Sequence, residues 1–215
     1  TVAAQYAIAG GASGYNPAAR ELRDRLAAAV EVPVVLGYRN AAPFLPDILS
    51  SLDARAIVAV SLTPFGGGRG GDGNRRAYEA LEDPRPVQWV DGWYRSNGLI
   101  QAWADRLKGQ VGHVVMTAHS VPIDSADEYA HQVEVLATQI AAAAGLDDWS
   151  IAWQSRSGKP SDPWLGPDVC ELIQEVDDPV VVAPIGFLFS NMEVEFDLGV
   201  EARAAATKQG LEFTL

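Results

Sequence analysis

The chain is short of several things that whole classes of function require. It has one cysteine, Cys170, among 215 residues. That excludes an internal disulfide, and zinc or iron–sulfur centres built on cysteine alone. A lone thiol on a helix reads first as a small buried apolar residue. Such scarcity fits a reducing compartment, so a cytoplasmic protein is expected. Basic residues are also few: 16 Lys and Arg against 28 Asp and Glu leave a net charge of −12. Phosphate binding needs a basic surface, which excludes nucleic acid as a partner. No apolar run approaches the roughly 20 residues of a membrane-crossing helix. There are only three histidines, so the place of each is informative.

What is present is alternation. Short apolar runs at 32–36, 56–62, 87–90, 113–116, 150–154 and 180–187 read as strands covered on both faces. Helical spacing between them predicts helices over 17–30, 43–52, 75–81, 99–108, 125–144, 166–174 and 192–209. Pro17 suits a first helical turn and Gly145 a helix stop. Repeated βα units predict an α/β fold of parallel sheets flanked by helices, with right-handed crossovers. LEDPRPVQ at 81–88, two prolines in a charge cluster, reads as a linker. Six strands could form one sheet or two smaller ones, and the linker favours two, in domains 1–82 and 83–215 with a cleft between them. FGGGRGGDGN at 65–74 has the look of a phosphate loop but lacks the Gly-Lys-Ser/Thr ending, and it reads as a flexible surface loop.

In open α/β sheets, ligands sit beyond the carboxyl ends of the strands. His119, in MTAHSVP (116–122), lies at such an end, and Ser120 with Pro122 shapes the turn that would hold its ring. On position alone, a functional and a structural histidine are equally good readings. His113 and His131 lack this placement. Glu193, Asp197 and Glu201 follow the last strand at i, i+4 and i+8, so three carboxylates share one helix face. They read either as a solvated acidic face or as a path that carries hydrated divalent cations and protons to the cleft. Arg156 and Lys159 precede Trp164 and Leu165, and an apolar ring beside cations suits a flat, carboxylated ligand.

Four segments together resemble the ferrochelatase family, enzymes that insert Fe(II) into a porphyrin. They are TAHSVP (117–122), Tyr129 with Gln132, WQSRSGKPSDPWLGPDV (153–169) and PIGFLFSNMEVEFD (184–197). GGASGYNP (10–17) and GYRNAAPF (37–44) are weaker echoes. The resemblance implies a porphyrin cleft between two Rossmann-like domains. It also implies that His119 and Glu193 are catalytic, and that Asp197 and Glu201 join them in handling the metal. Trp164, Arg39, Ser120 and Asn191 become substrate contacts. Fe(II) and the porphyrin are then substrates, with no permanently bound cofactor and no iron–sulfur cluster expected. A monomer is expected, and loose peripheral membrane association stays open.

The departures from the family matter. Ser190 and Asn191 stand where it has Asp-His, and TPFGGGRGGDGN replaces a segment that usually holds serines and aromatics. The family's opening strand before Thr1 and closing helix after Leu215 are absent from the sequence, so further segments are expected in the natural protein. Two alternatives follow: a non-catalytic tetrapyrrole- or haem-binding relative, and a chelatase for another metal such as cobalt or nickel. Coproporphyrin III and protoporphyrin IX both remain as substrates. The bias to arginine, alanine and glycine fits a GC-rich bacterial genome, and an actinobacterial source would imply coproporphyrin III.

Overall fold

Valine-rich runs at 113–119 and 180–183 are buried almost throughout, and they pair at the centre of the main sheet. The computed structural model describes residues 2–66, 68–157, 159 and 162–215, leaving aside the side chains of Val2, residues 68–72 and Ser125. Its elements are α1 (Val2–Ile8), α2 (Tyr15–Ala29), α3 (Leu45–Ser51), β1 (Ile57–Val60), α4 (Gly68–Glu79), β2 (Val87–Val90) and α5 (Asn97–Leu107). Then come β3 (His113–His119), α6 (Asp127–Ala144), β4 (Trp149–Gln154), α7 (Val169–Ile173), β5 (Val180–Ala183), a π-helix (Val194–Ala202), α8 (Arg203–Gln209) and β6 (Phe213–Thr214). β1 and β2 form one small sheet, and a second runs β4-β3-β5-β6. Every pair is parallel, as the βα alternation predicts.

Alternation of side chains across the larger sheet makes three layers. Val114, Met116, Ala118, Val181 and Ala183 pack with Leu99 and Ile100 of α5 and Leu136 and Ile140 of α6. Val115, Ala152, Val180 and Val182 point the other way, onto Ile173, Leu198, Ala202 and Ala206. Burying each large aliphatic side chain contributes about 1.5–3 kcal/mol, so this slab is the stable floor on which the strand ends stand. Gly112 opens β3 at φ +116°, and a Cβ there would lie 2.1 Å from the Pro179 carbonyl oxygen. Only glycine lets the two central strands start side by side at that point.

Several expectations change. The run at 32–36 pairs with no strand among the described residues, and Val32 and Val35 are 65% and 46% exposed. The sixth strand is instead the short β6. The strand at 180–187 stops at Ala183 because Pro184 has no N–H to extend the ladder. The glycine-rich segment is not a loop: α4 begins at Gly68, and Gly73 leaves room for the Arg39 guanidinium against the helix. Gly67 lies outside the described residues.

The expected boundary at 82/83 falls between α4 and β2. β2 pairs with β1, so the first sheet extends past it and the second begins at β3. The segment read as a linker is fastened: Arg85 Nη1 and Nη2 donate to the Leu52 and Leu49 carbonyls at the end of α3, both at 2.7 Å. Asp83 holds the same guanidinium from the other side. Those carbonyls lie where a helix leaves acceptors unpaired, so the charge is well placed.

Candidate functional site

His119 is the last residue of β3, beyond the carboxyl edge of the larger sheet. Its Nδ1 lies 2.5 Å from the Ser120 carbonyl oxygen, which leaves Nε2 facing Glu193 Oε1 at 3.4 Å. Tyr129 donates to the His119 carbonyl at 3.0 Å and fixes the strand end from α6. Burial disfavours the charged ring, but the bond to Glu193 and its charge, then Ser120 and Asp197, outweigh burial and raise the His119 pKa.

Glu193 is held from three directions. Asn191 Oδ1 accepts from the Glu193 and Val194 N–H groups at 2.9 and 3.0 Å, capping the helix start. Gln154, fully buried at the end of β4, donates to the Glu193 carbonyl at 3.5 Å and accepts from Thr117 Oγ1 at 2.7 Å. Two neighbouring strands thus hold the carboxylate's backbone through one amide. Gly186 passes directly over Ala118, where a Cβ would meet Ala118 Cα at 2.9 Å, so the loop into this helix lies tight on the His119 strand.

Asp197 and Glu201 stand on a π-helix, not the α-helix that the spacing implied, with Glu193 in the α turn just before it. A π turn takes more than four residues, so positions four apart fall just short of one turn instead of overshooting it, and Glu193, Asp197 and Glu201 still rise along one face. Ser155 donates to Asp197 from a left-handed backbone, φ 61°. Burial raises the Asp197 pKa, and the Glu193 and Asp168 charges add to it against the Ser155 bond and His119. Desolvation, then Asp197 and Asp168, likewise raise that of Glu201 at the exposed end. Among the described residues no three His, Cys, Asp or Glu side chains converge as a metal cage. The acids form a graded path ending at an imidazole, a form suited to passing cations and protons.

The other predicted site residues fall differently. Ser120 is 1% exposed and donates to the Leu165 carbonyl at 2.8 Å, which tethers the turn after His119 to the WLGP segment. Trp164, half-buried, bridges to Pro122 through its backbone, which brings the WLGP segment beside the turn after His119. Gly158, Pro160 and Ser161 of that motif lie outside the described residues. Asn191 caps the helix and also lines a groove beside Glu193. Arg39 is exposed against Gly73, and among the described residues it has no hydrogen bond or ion pair to His119 or Glu193. His113 bridges Asp148 Oδ1 at 2.6 Å and Ser150 Oγ at 2.8 Å at the opposite edge of the sheet, as a clamp between strands. Sequence reading missed Gln154, Ser155 and Asp168 as individuals. A buried glutamine ending an apolar strand was the available signal.

The ferrochelatase family model matches residues 1–215. The chain belongs to the ferrochelatase family. A coproporphyrin III ferrochelatase of Mycobacterium ulcerans is 34% identical over 98% of this chain and 68% of its own length. One from Nocardia farcinica is 30% identical over 99% of the chain and 71% of its own. A ferrochelatase of Rhodopirellula baltica is 33% identical over 98% and 68%. In this family setting Gln132 gains meaning: its amide accepts from Gly66 N at 2.9 Å and donates to Gly66 O at 3.1 Å, stitching α6 to the loop after β1. Among the described residues, no helix is long and apolar enough to cross a membrane.

Proposed function

We propose that this chain inserts Fe(II) into a porphyrin in haem biosynthesis, with coproporphyrin III as the substrate. One observation carries the reading: an imidazole nitrogen 3.4 Å from a carboxylate at the mouth of an acidic path. Relatives named coproporphyrin III ferrochelatases favour that porphyrin over protoporphyrin IX. Iron is substrate here, and the reaction runs without a resident cofactor.

A porphyrin must lose two N–H protons as metal enters. The neutral His119 Nε2 accepts one, and the Glu193 carboxylate stabilises the imidazolium that results. Glu193 then takes up or passes on a proton along Asp197 and Glu201, whose raised pKa values bring their protonation nearer to neutral pH. The same carboxylates supply oxygen ligands to the incoming hydrated cation. Asn191 and Gln154 keep Glu193 in place while charge moves.

The test is anaerobic mixing with Fe(II) and coproporphyrin III or protoporphyrin IX, followed through the Soret and visible bands. The expected result is faster conversion of coproporphyrin III, abolished in Glu193→Gln. Tight binding with no insertion of iron or zinc would make the protein a tetrapyrrole-binding relative. Preference for cobalt would make it a different chelatase.

A further inference from the structure

A groove of about 400 Å³ opens beside Glu193, lined by Tyr6, Tyr15, Asn16, Asn191 and Met192. Its walls come from opposite ends of the chain. Tyr15, the first residue of α2, meets Phe189 edge to face, with ring centroids 5.5 Å apart and planes at 80°. Phe189 sits in the loop between Gly186, pressed on Ala118, and Asn191, which caps the helix at Glu193. That loop is the only covalent path from β5 to the carboxylate, and Tyr15 braces its middle.

Tyr15 therefore has two contacts that matter: one with the loop that delivers Glu193, the other with the groove that Glu193 also lines. Its ring is half-buried, and burial, then the nearby Tyr38 phenol, push its pKa up. The wall is thus neutral and does not repel a carboxylated ligand. A rigid aromatic face across a groove from proton acceptors suits a flat macrocycle, since rings supply contact area at little cost in side-chain freedom.

Resting on the porphyrin reading above, we propose that Tyr15 and Phe189 act as an aromatic clamp that positions the porphyrin plane against the His119–Glu193 pair. The clamp sets affinity; the pair moves protons.

The experiment is steady-state insertion together with equilibrium binding, read by porphyrin fluorescence, for Tyr15→Ala, Tyr15→Phe and Phe189→Ala. Tyr15→Ala and Phe189→Ala are expected to raise both KM and Kd for coproporphyrin III about tenfold, with kcat within about threefold of wild type. Tyr15→Phe, which keeps the ring, is expected to behave as wild type. Circular-dichroism melts check folding, and Phe189→Leu replaces Phe189→Ala if the latter does not fold. Unchanged Kd in folded Tyr15→Ala, or a fall in kcat with Kd intact, overturns the clamp while leaving the porphyrin reading standing. Failure of the wild-type protein to bind any porphyrin overturns both. Glu193→Gln separates the two ideas, because it is expected to bind like wild type without turning over.

Discussion

His119 and Glu193 face one another at 3.4 Å, one at the end of a strand and the other at the mouth of a helix, with no hydrogen-bonded turn of backbone in common. The pairing is held from behind by Tyr129 on one side and by Asn191 and Gln154 on the other. The raised His119 pKa follows from this contact, and its consequences can be measured. The His119 ring protons in an NMR titration are expected to report a midpoint above about 6.5, falling toward that value in Glu193→Gln. The sign for stability is fixed by the same shift. The pair stabilises the fold below the unfolded pKa, and the gain is lost as pH rises through the folded pKa. Glu193→Gln should therefore lower Tm more at pH 6 than at pH 9, and an equal loss at both would show that the contact is not an ion pair.

Asp197 is the reverse case. Its raised pKa means that its charge costs stability at neutral pH. Asp197→Asn is expected to raise Tm at pH 7 by about 1–3 °C while slowing metal insertion, a trade of function against stability. A melt paired with an insertion assay checks both, and a variant that is less stable would contradict the assignment.

Gln154 is fully buried with Thr117 and the Glu193 carbonyl as its partners. Gln154→Leu leaves the Thr117 hydroxyl without an acceptor and the helix mouth without its tether. Denaturant unfolding is expected to show a loss of about 1–3 kcal/mol. Insertion should fall further than that loss explains at temperatures where the variant remains folded.

How much of this was legible in the sequence divides by range. Strands near 113–116, 150–154 and 180–187 follow from continuous apolar runs, because a strand covered on both faces needs nothing else, although the first runs on to His119 and the last stops at Ala183. The run at 32–36 has the same composition yet no partner strand among the described residues, and composition does not say what a strand pairs with. Histidine and carboxylate at strand ends could be read as a candidate pair because topology brings those ends together. The buried role of Ser120 and the π geometry under the ladder could not, since each depends on contacts between distant segments. Glycines at 68–73 mislead as well: propensity opposes a helix there, yet the backbone is helical from Gly68.

Gly186→Ala tests the close crossing of the loop over β3. The added Cβ would sit 2.9 Å from Ala118 Cα, a backbone neighbour that cannot swing aside. The loop must lift, taking Phe189 and Glu193 with it. A fall in kcat of at least about tenfold, with a modest drop in Tm, is expected, since small misplacements of reacting groups are costly. Wild-type kcat would show that the crossing does not position Glu193.

Cys170 is expected to be inert. Burial, then the charges of Asp168 and Glu201, push its thiol up to about 12, so almost no thiolate exists at pH 8. Intact-mass measurement after an hour in iodoacetamide should show the native protein unmodified and the urea-unfolded protein carrying one adduct.

The wide turns between Val194 and Ala202 have a consequence for how this stretch tolerates change over generations. A π-helix is, in effect, an α-helix with surplus chain stored in each turn. Deleting a single residue lets it tighten to ordinary α geometry, and later side chains nearly keep their direction, because three residues at α spacing and four at π spacing differ in rotation by only about 30°. Substitutions within the stretch alter one contact each, whereas a one-codon deletion between Asp197 and Glu201 would leave Glu201 close to its place on the path. Here the length of the gene segment carries a tolerance of its own, separate from the letters it spells.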